Sequence, residues 1–128
     1  MSQAFACSCV TRTDVQQFKE AKTVVVGLVR EARYVEDPKV FGGGYVRVAV
    51  EVTETLKGKK QKRIEVIDQV PEAGMCSSFL RPGVEFVLFI DNSGEAGMCS
   101  GTRTLGATTY DRPQKIQELW QLKARAEK

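Results

Sequence analysis

Two cysteines separated by a single residue, Cys7-Ser8-Cys9, constrain this chain more than any other feature. Thiols two positions apart do not close on each other readily, so each needs a distant partner. Cys76 and Cys99 are the only candidates. Four cysteines allow three pairings. Setting the local one aside leaves two, and either pins the N-terminal segment to two separate loops. In the chain-entropy view each closed loop of this size contributes on the order of 4 kcal/mol, less for the second because the loops overlap. Residues 7–11 are therefore expected to lie extended and rigid on the surface.

Disulfides persist in oxidising compartments, and the N-terminus fits that requirement. Ala4-Phe5-Ala6 directly before Cys7 matches the A-x-A pattern of a signal-peptidase site, with the apolar stretch ahead of it missing. Residues 1–6 read as the remnant of an export signal behind an added or truncated start, and the mature chain is expected to begin at Cys7. A plain flexible terminus is the simpler alternative. Lipidation of Cys7 fits less well, because Ala4 stands where a larger aliphatic residue is usual. The expected location is secreted, periplasmic or at the cell surface.

The 128 residues suit one domain with one core, and 42% hydrophobic with 27% charged residues is an ordinary globular balance. No apolar run approaches the roughly 18 residues of a membrane-crossing helix, so no membrane insertion is expected. A net charge of +3 is too small to argue for nucleic acid. The sequence contains no histidine at all. That removes Ser-His-Asp and Cys-His nucleophilic sites and every histidine metal site. Paired carboxylates, a glycine-rich phosphate loop and a nucleophile elbow are also missing. The chain is thus expected to be a monomeric binding protein, not an enzyme, with no cofactor.

Periodicity points to a mainly β fold. Thr13-Asp14 offers cap oxygens, with Gln17 placed for a capping box, ahead of a short helix through Val15, Phe18 and Ala21. Residues 23–30 are β-branched and apolar, the mark of a buried strand, and Gly27 within it predicts a bulge or bend. Asp37-Pro38 and Gly42-Gly43-Gly44 bracket a loop. Over 45–56, Val46, Val48, Val50 and Val52 alternate with polar or small residues, giving one core face. The basic turn Lys57-Gly58-Lys59-Lys60-Gln61-Lys62-Arg63 reads as a solvated hairpin tip, with a nucleic-acid or heparin contact as the alternative. Strands follow at 63–70 and 84–90, with a short fifth around 102–108. Asp111-Arg112-Pro113 opens a terminal helix whose Ile116, Leu119 and Trp120 should pack on the sheet. Five short strands with two flanking helices describe a five-stranded Greek-key barrel of the OB type. The six residues Glu72-Ala73-Gly74-Met75-Cys76-Ser77 recur at 95–100, too short a match to be a structural repeat.

Taken together, these residues resemble a known family. Cys7-Ser8-Cys9, a short helix, a strand ending in Leu56-Lys57-Gly58, Cys76 in a loop, Gly83-x-Glu85-Phe86 opening a strand and Cys99 beyond it are similar to the inhibitory domain of the tissue inhibitors of metalloproteinases, a netrin-like OB barrel. The resemblance runs from Cys7 to about Leu105 and implies one netrin-like domain over residues 7–128. It also implies the pairings Cys7–Cys76 and Cys9–Cys99, and a protein partner outside the cytoplasm, a zinc metalloproteinase. In such an inhibitor the free amine and carbonyl of Cys7 chelate the partner's zinc and Ser8 enters the pocket beside the metal. Cys9, Val10, Thr11, Gly74, Met75 and Cys76 complete the contact ridge. A neutral amine is a good zinc ligand, and an α-amine with a pKa of about 7.7–8.0 is partly deprotonated at neutral pH. The third cysteine pair of that domain is missing here, and residues 1–6 would convert the chelating amine into an amide.

Two other readings compete. One is a netrin-like module that binds an extracellular protein without inhibiting a protease. The other is a soft-metal site, in which the four cysteines with Met75 and Met98 hold Cu(I), or four thiolates hold zinc. The lack of a Cys-x-x-Cys pair counts against the second.

Overall fold

A strand whose every second residue is valine must bury one face, and the second strand does so. In the computed structural model, which describes residues 8–40, 42–71, 76–106 and 111–128, it runs as β2 over Gly44–Lys57. Val48 and Val50 are buried on its core face, with Val46 and Val52 packed against the same cluster. It pairs antiparallel with β1, Thr23–Glu36, and with β3, Arg63–Asp68. On its other side β1 pairs with β4, Glu85–Ile90, and β4 pairs with the two-residue β5, Arg103–Thr104.

The sheet order is β3-β2-β1-β4-β5. An isolated parallel bridge joins Ile67, near the end of β3, to Glu95 beyond β4. Two backbone hydrogen bonds make it, Ile67 N–H to the Gly94 carbonyl at 3.0 Å and Ala96 N–H to the Ile67 carbonyl at 2.9 Å. This bridge brings the two sides of the sheet together, as a barrel requires.

Curvature enters at Gly27, as the sequence predicts. The β1–β2 register slips between Val26 and Gly27, and also between Val24 and Val25 and between Val29 and Glu31. A Cβ at position 27 would stand 2.3 Å from Val50 Cγ1 and 3.0 Å from the Glu51 carbonyl oxygen. The bare backbone lets β2 cross close over the bulge. Gly27→Ala is accordingly expected to destabilise the domain by about 1–3 kcal/mol through overpacking. Urea denaturation measures this, and an unchanged midpoint would show that β2 can yield.

Both faces of the sheet are covered, so β4 carries an unbroken apolar run. Val87 and Phe89 join Val24, Val26 and Leu56 in a cluster with Phe18, Leu119 and Leu122 of the helices. Phe86, Leu88 and Ile90 join Val25, Val29, Val48, Val50 and Val66 in a second cluster. The N-terminal helix α1 spans Asp14–Glu20 and the C-terminal helix α2 spans Arg112–Ala126.

Several expectations shift by a residue or a face. Thr13, not Asp14, is the cap of α1, so the capping-box partner is Gln16 in place of Gln17, and Ala21 lies just past the helix. β1 continues to Glu36 instead of stopping at Arg30. Both β3 and β5 are shorter than expected, and residues 107 and 108 of the latter's range fall outside those described. Trp120 does not pack into the core. It is 42% exposed, with Nε1 donating to Glu54 at 3.2 Å. Leu119, Leu122 and Ala126 fill the buried stripe, because their spacing of three and four keeps them on one face while Trp120 is turned about 100° from Leu119.

Candidate functional site

Residues 8–13 have no helix or strand of their own, and tertiary bonds hold them. A disulfide joins Cys9 to Cys99, 90 positions away, with the Cα atoms 5.3 Å apart. Cys99 sits in a one-turn 3₁₀ helix, Met98–Ser100, closed by Gly101 at φ 113°. Gln17, freed from the capping box, donates from Nε2 to the Cys99 carbonyl at 3.4 Å. An ion pair between Arg12 and Glu20 ties the next residues to the end of α1. The segment is thus fastened at both ends, while Ser8, Cys9, Val10 and Thr11 are exposed and Val10 keeps 76% of its surface. A cleft of about 450 Å³ runs between it and α1, lined also by Ala21, Asp91 and Ser100.

The Cys9–Cys99 bond is the pairing that the family resemblance implies. It consumes two of the four thiols, so a site built from four thiolates is ruled out. Cys76 is also disulfide-bonded, and no cysteine among the described residues is free. Its expected partner Cys7, and the ridge residues Gly74 and Met75, lie outside the described residues. No cluster of three or more metal-ligating side chains occurs among those described.

The loop that follows Cys76 is organised by an acidic side chain that no motif singles out. Asp68, 1% exposed at the end of β3, accepts four hydrogen bonds. Its Oδ1 takes the N–H groups of Gln69 and Ser78, each at 2.9 Å. Its Oδ2 takes the Ser77 hydroxyl and the Leu80 N–H, each at 3.2 Å. Burial pushes the Asp68 carboxyl above its ordinary range, and these donors oppose the shift. Beside it, Gln69 accepts from Cys76 N–H at 2.7 Å and donates to Glu95 at 3.2 Å. Glu95 is raised as well, first by burial, with Asp91 and Asp68 adding to the shift.

This scaffold holds Phe79 in an unusual state. Phe79 has φ 59°, the only positive value at a non-glycine among the described residues, yet its ring is 58% exposed. A left-handed conformation at a bulky residue costs about 1–2 kcal/mol. The adjacent bonds hold it there: Phe79 N–H donates to the Ser77 hydroxyl at 2.9 Å, and Arg81 donates to the Phe79 carbonyl at 2.8 Å. The Arg81 guanidinium also lies 5.5 Å from the ring centroid. Ser78 Oγ donates to the Ala96 carbonyl at 2.7 Å, which fastens this loop to the one carrying Met98 and Cys99.

Three exposed apolar side chains therefore sit on mutually tethered segments: Val10 beside Cys9, Met98 beside Cys99, and Phe79 on the Asp68-braced loop. Ser8, Val10 and Thr11 occupy the exposed ridge that the sequence predicts. Phe79 and Asp68 were not predicted. Their only sequence signal is a phenylalanine in a polar loop and an acid closing an apolar strand. No protein-family model matches the chain, and no curated protein shows significant similarity to it.

Proposed function

We propose that this chain is an exported, non-catalytic binding module that docks a protein through its N-terminal ridge, and that the partner is a zinc metalloproteinase. One observation carries the reading: the Cys9–Cys99 bond ties an exposed segment, 8–11, to a second loop. A pre-ordered ridge forfeits little freedom on binding, and exposed apolar anchors beside a fixed backbone are what a partner's cleft takes up. Zinc supplies the specific chemistry. A chain beginning at Cys7 offers an amine and a carbonyl that close a five-membered chelate, and Ser8 would follow into the pocket beside the metal.

The test compares two forms, one beginning at Cys7 and one retaining residues 1–6, against a panel of zinc metalloproteinases. Only the first should inhibit, because the amide nitrogen of the longer form is a very poor ligand. Ser8→Gly should weaken inhibition modestly. Ser8→Arg should weaken it by roughly tenfold or more through a clash in the pocket. Equal inhibition by both forms would refute chelation. Inhibition by neither would favour the second reading, a netrin-like interaction module without inhibitory activity. The exposed Phe79, held in a strained conformation, is an apolar contact that chelation does not use, and it is the feature that favours this alternative.

A further inference from the structure

The hairpin tip between β2 and β3 takes no part in the ridge. Five of the seven residues from 57 to 63 are cationic and none is acidic. Lys57 is used internally: its Nζ donates to the carbonyls of Phe18 and Lys19, both at 2.9 Å, and lies 5.6 Å from the Phe18 ring centroid. Lys59, Lys60 and Lys62 are exposed, and none forms an ion pair with a described residue. A basic tip alone is usually just solvated. Here the fold adds cations from other elements. A Cβ at Gly58 would lie 3.0 Å from Thr23 Oγ1 and 3.4 Å from the Lys22 carbonyl, so the junction of α1 and β1 rests against the tip. Lys22 is exposed at that junction, and Lys19 stands in the last turn of α1, which Lys57 ties down.

The acids on the surrounding elements do not neutralise this group. Glu20 pairs with Arg12 and Glu127 pairs with Lys123, and no acid forms an ion pair with Lys19, Lys22 or a lysine of the tip among the described residues. A set of ammonium groups on long stems, gathered from three segments without partners, is complementary to repeated anionic groups along a flexible chain. We propose that Lys19, Lys22, Lys59, Lys60 and Lys62 form a binding surface for a linear acidic polysaccharide, separate from the ridge.

The surface suits a polysaccharide better than other polyanions. Single-stranded nucleic acid is held by aromatic rings interleaved with cations. Among the described residues the exposed large apolar ones are Val10, Tyr34, Phe79, Met98 and Trp120, and none lies within 57–63. Trp120 has the Lys123 ammonium 5.9 Å from its ring centroid and its Nε1 bonded to Glu54. The same absence leaves nothing on the tip to insert into a lipid surface. The Cys9–Cys99 disulfide suits an oxidising compartment, where acidic polysaccharides abound.

A heparin dodecasaccharide is the probe, titrated into the full chain at several salt concentrations. Binding should weaken steeply with salt as counterions are retained. The triple variant Lys59→Gln, Lys60→Gln, Lys62→Gln should bind about tenfold more weakly, with a shallower salt dependence and an unchanged melting curve. Lys22→Gln alone should weaken binding by about two- to threefold, and Lys39→Gln, in the β1–β2 loop, should have no effect. Retention of full affinity by the triple variant would overturn the proposal. So would no effect of Lys22→Gln, absence of binding at about 0.15 M salt, or tighter binding of duplex DNA or anionic vesicles than of the dodecasaccharide.

Discussion

Replacing Cys9 and Cys99 together with serine is expected to remove about 3–5 kcal/mol of stability. The bond closes a loop across 90 positions of a 128-residue chain. Its loss restores freedom to most of the unfolded ensemble, and the value sits below the full loop-closure figure where another bridge already restricts the same chain. The double variant avoids the stray thiol that either single change would leave to exchange with other cysteines. Guanidinium denaturation of oxidised protein measures the loss. A second readout separates stability from shape: the NMR order parameters of 8–11 should fall while those of the sheet do not, because the double variant removes the bond that ties this segment to the Cys99 loop. A loss below about 1 kcal/mol would mean that the unfolded chain is already compact around these residues.

An equally large effect is expected from Asp68→Asn, a change of one atom. Four donors converge on the carboxylate. An amide keeps one acceptor and turns the other into an NH₂ group facing two donors. With the site 1% exposed, water cannot repair the mismatch, and the loss should be about 3–5 kcal/mol. The loop carrying Phe79 should loosen with it, and ridge binding should fall even at temperatures where the variant is folded. The pH dependence has a definite sign. Asp68 and Glu95 both bind protons more tightly in the folded state than in the unfolded chain. Their contribution to stability is therefore complete below the ordinary carboxylate range and is lost as pH rises through their raised folded values. Urea midpoints taken from about pH 7 down to about pH 5 should show this favourable contribution growing in the wild type. In Asp68→Asn only the part due to Glu95 should remain. An Asp68→Asn variant as stable as the wild type would show that the loop is held by packing alone.

Local rules made much of the sheet legible in the sequence. The valine alternation of β2, the apolar run of β4 and the bend at Gly27 each follow from neighbours a few residues away. What stayed hidden depends on distant partners. The second half of β1, Glu31-Ala32-Arg33-Tyr34-Val35-Glu36, lacks a clear apolar face because β4 pairs only as far as Leu28 and leaves β2 as the sole neighbour beyond it. Trp120 looked like core by size, but position on the helix decides which face is buried. The exposure of Ser8, Val10 and Thr11 was readable from the cysteine spacing. Phe79 was not, because its conformation is set by an acid on another element, and local propensity would reject that conformation.

The single bridge between Ile67 and Glu95 gives the barrel a seam. Two loops flank it, one braced by Asp68 on β3 and the other carrying Met98 and Cys99 beyond Glu95. A partner that gripped both loops would therefore work as a clasp. Part of its binding energy would go into keeping the seam shut, so that binding to both loops and opening along this line would be one equilibrium.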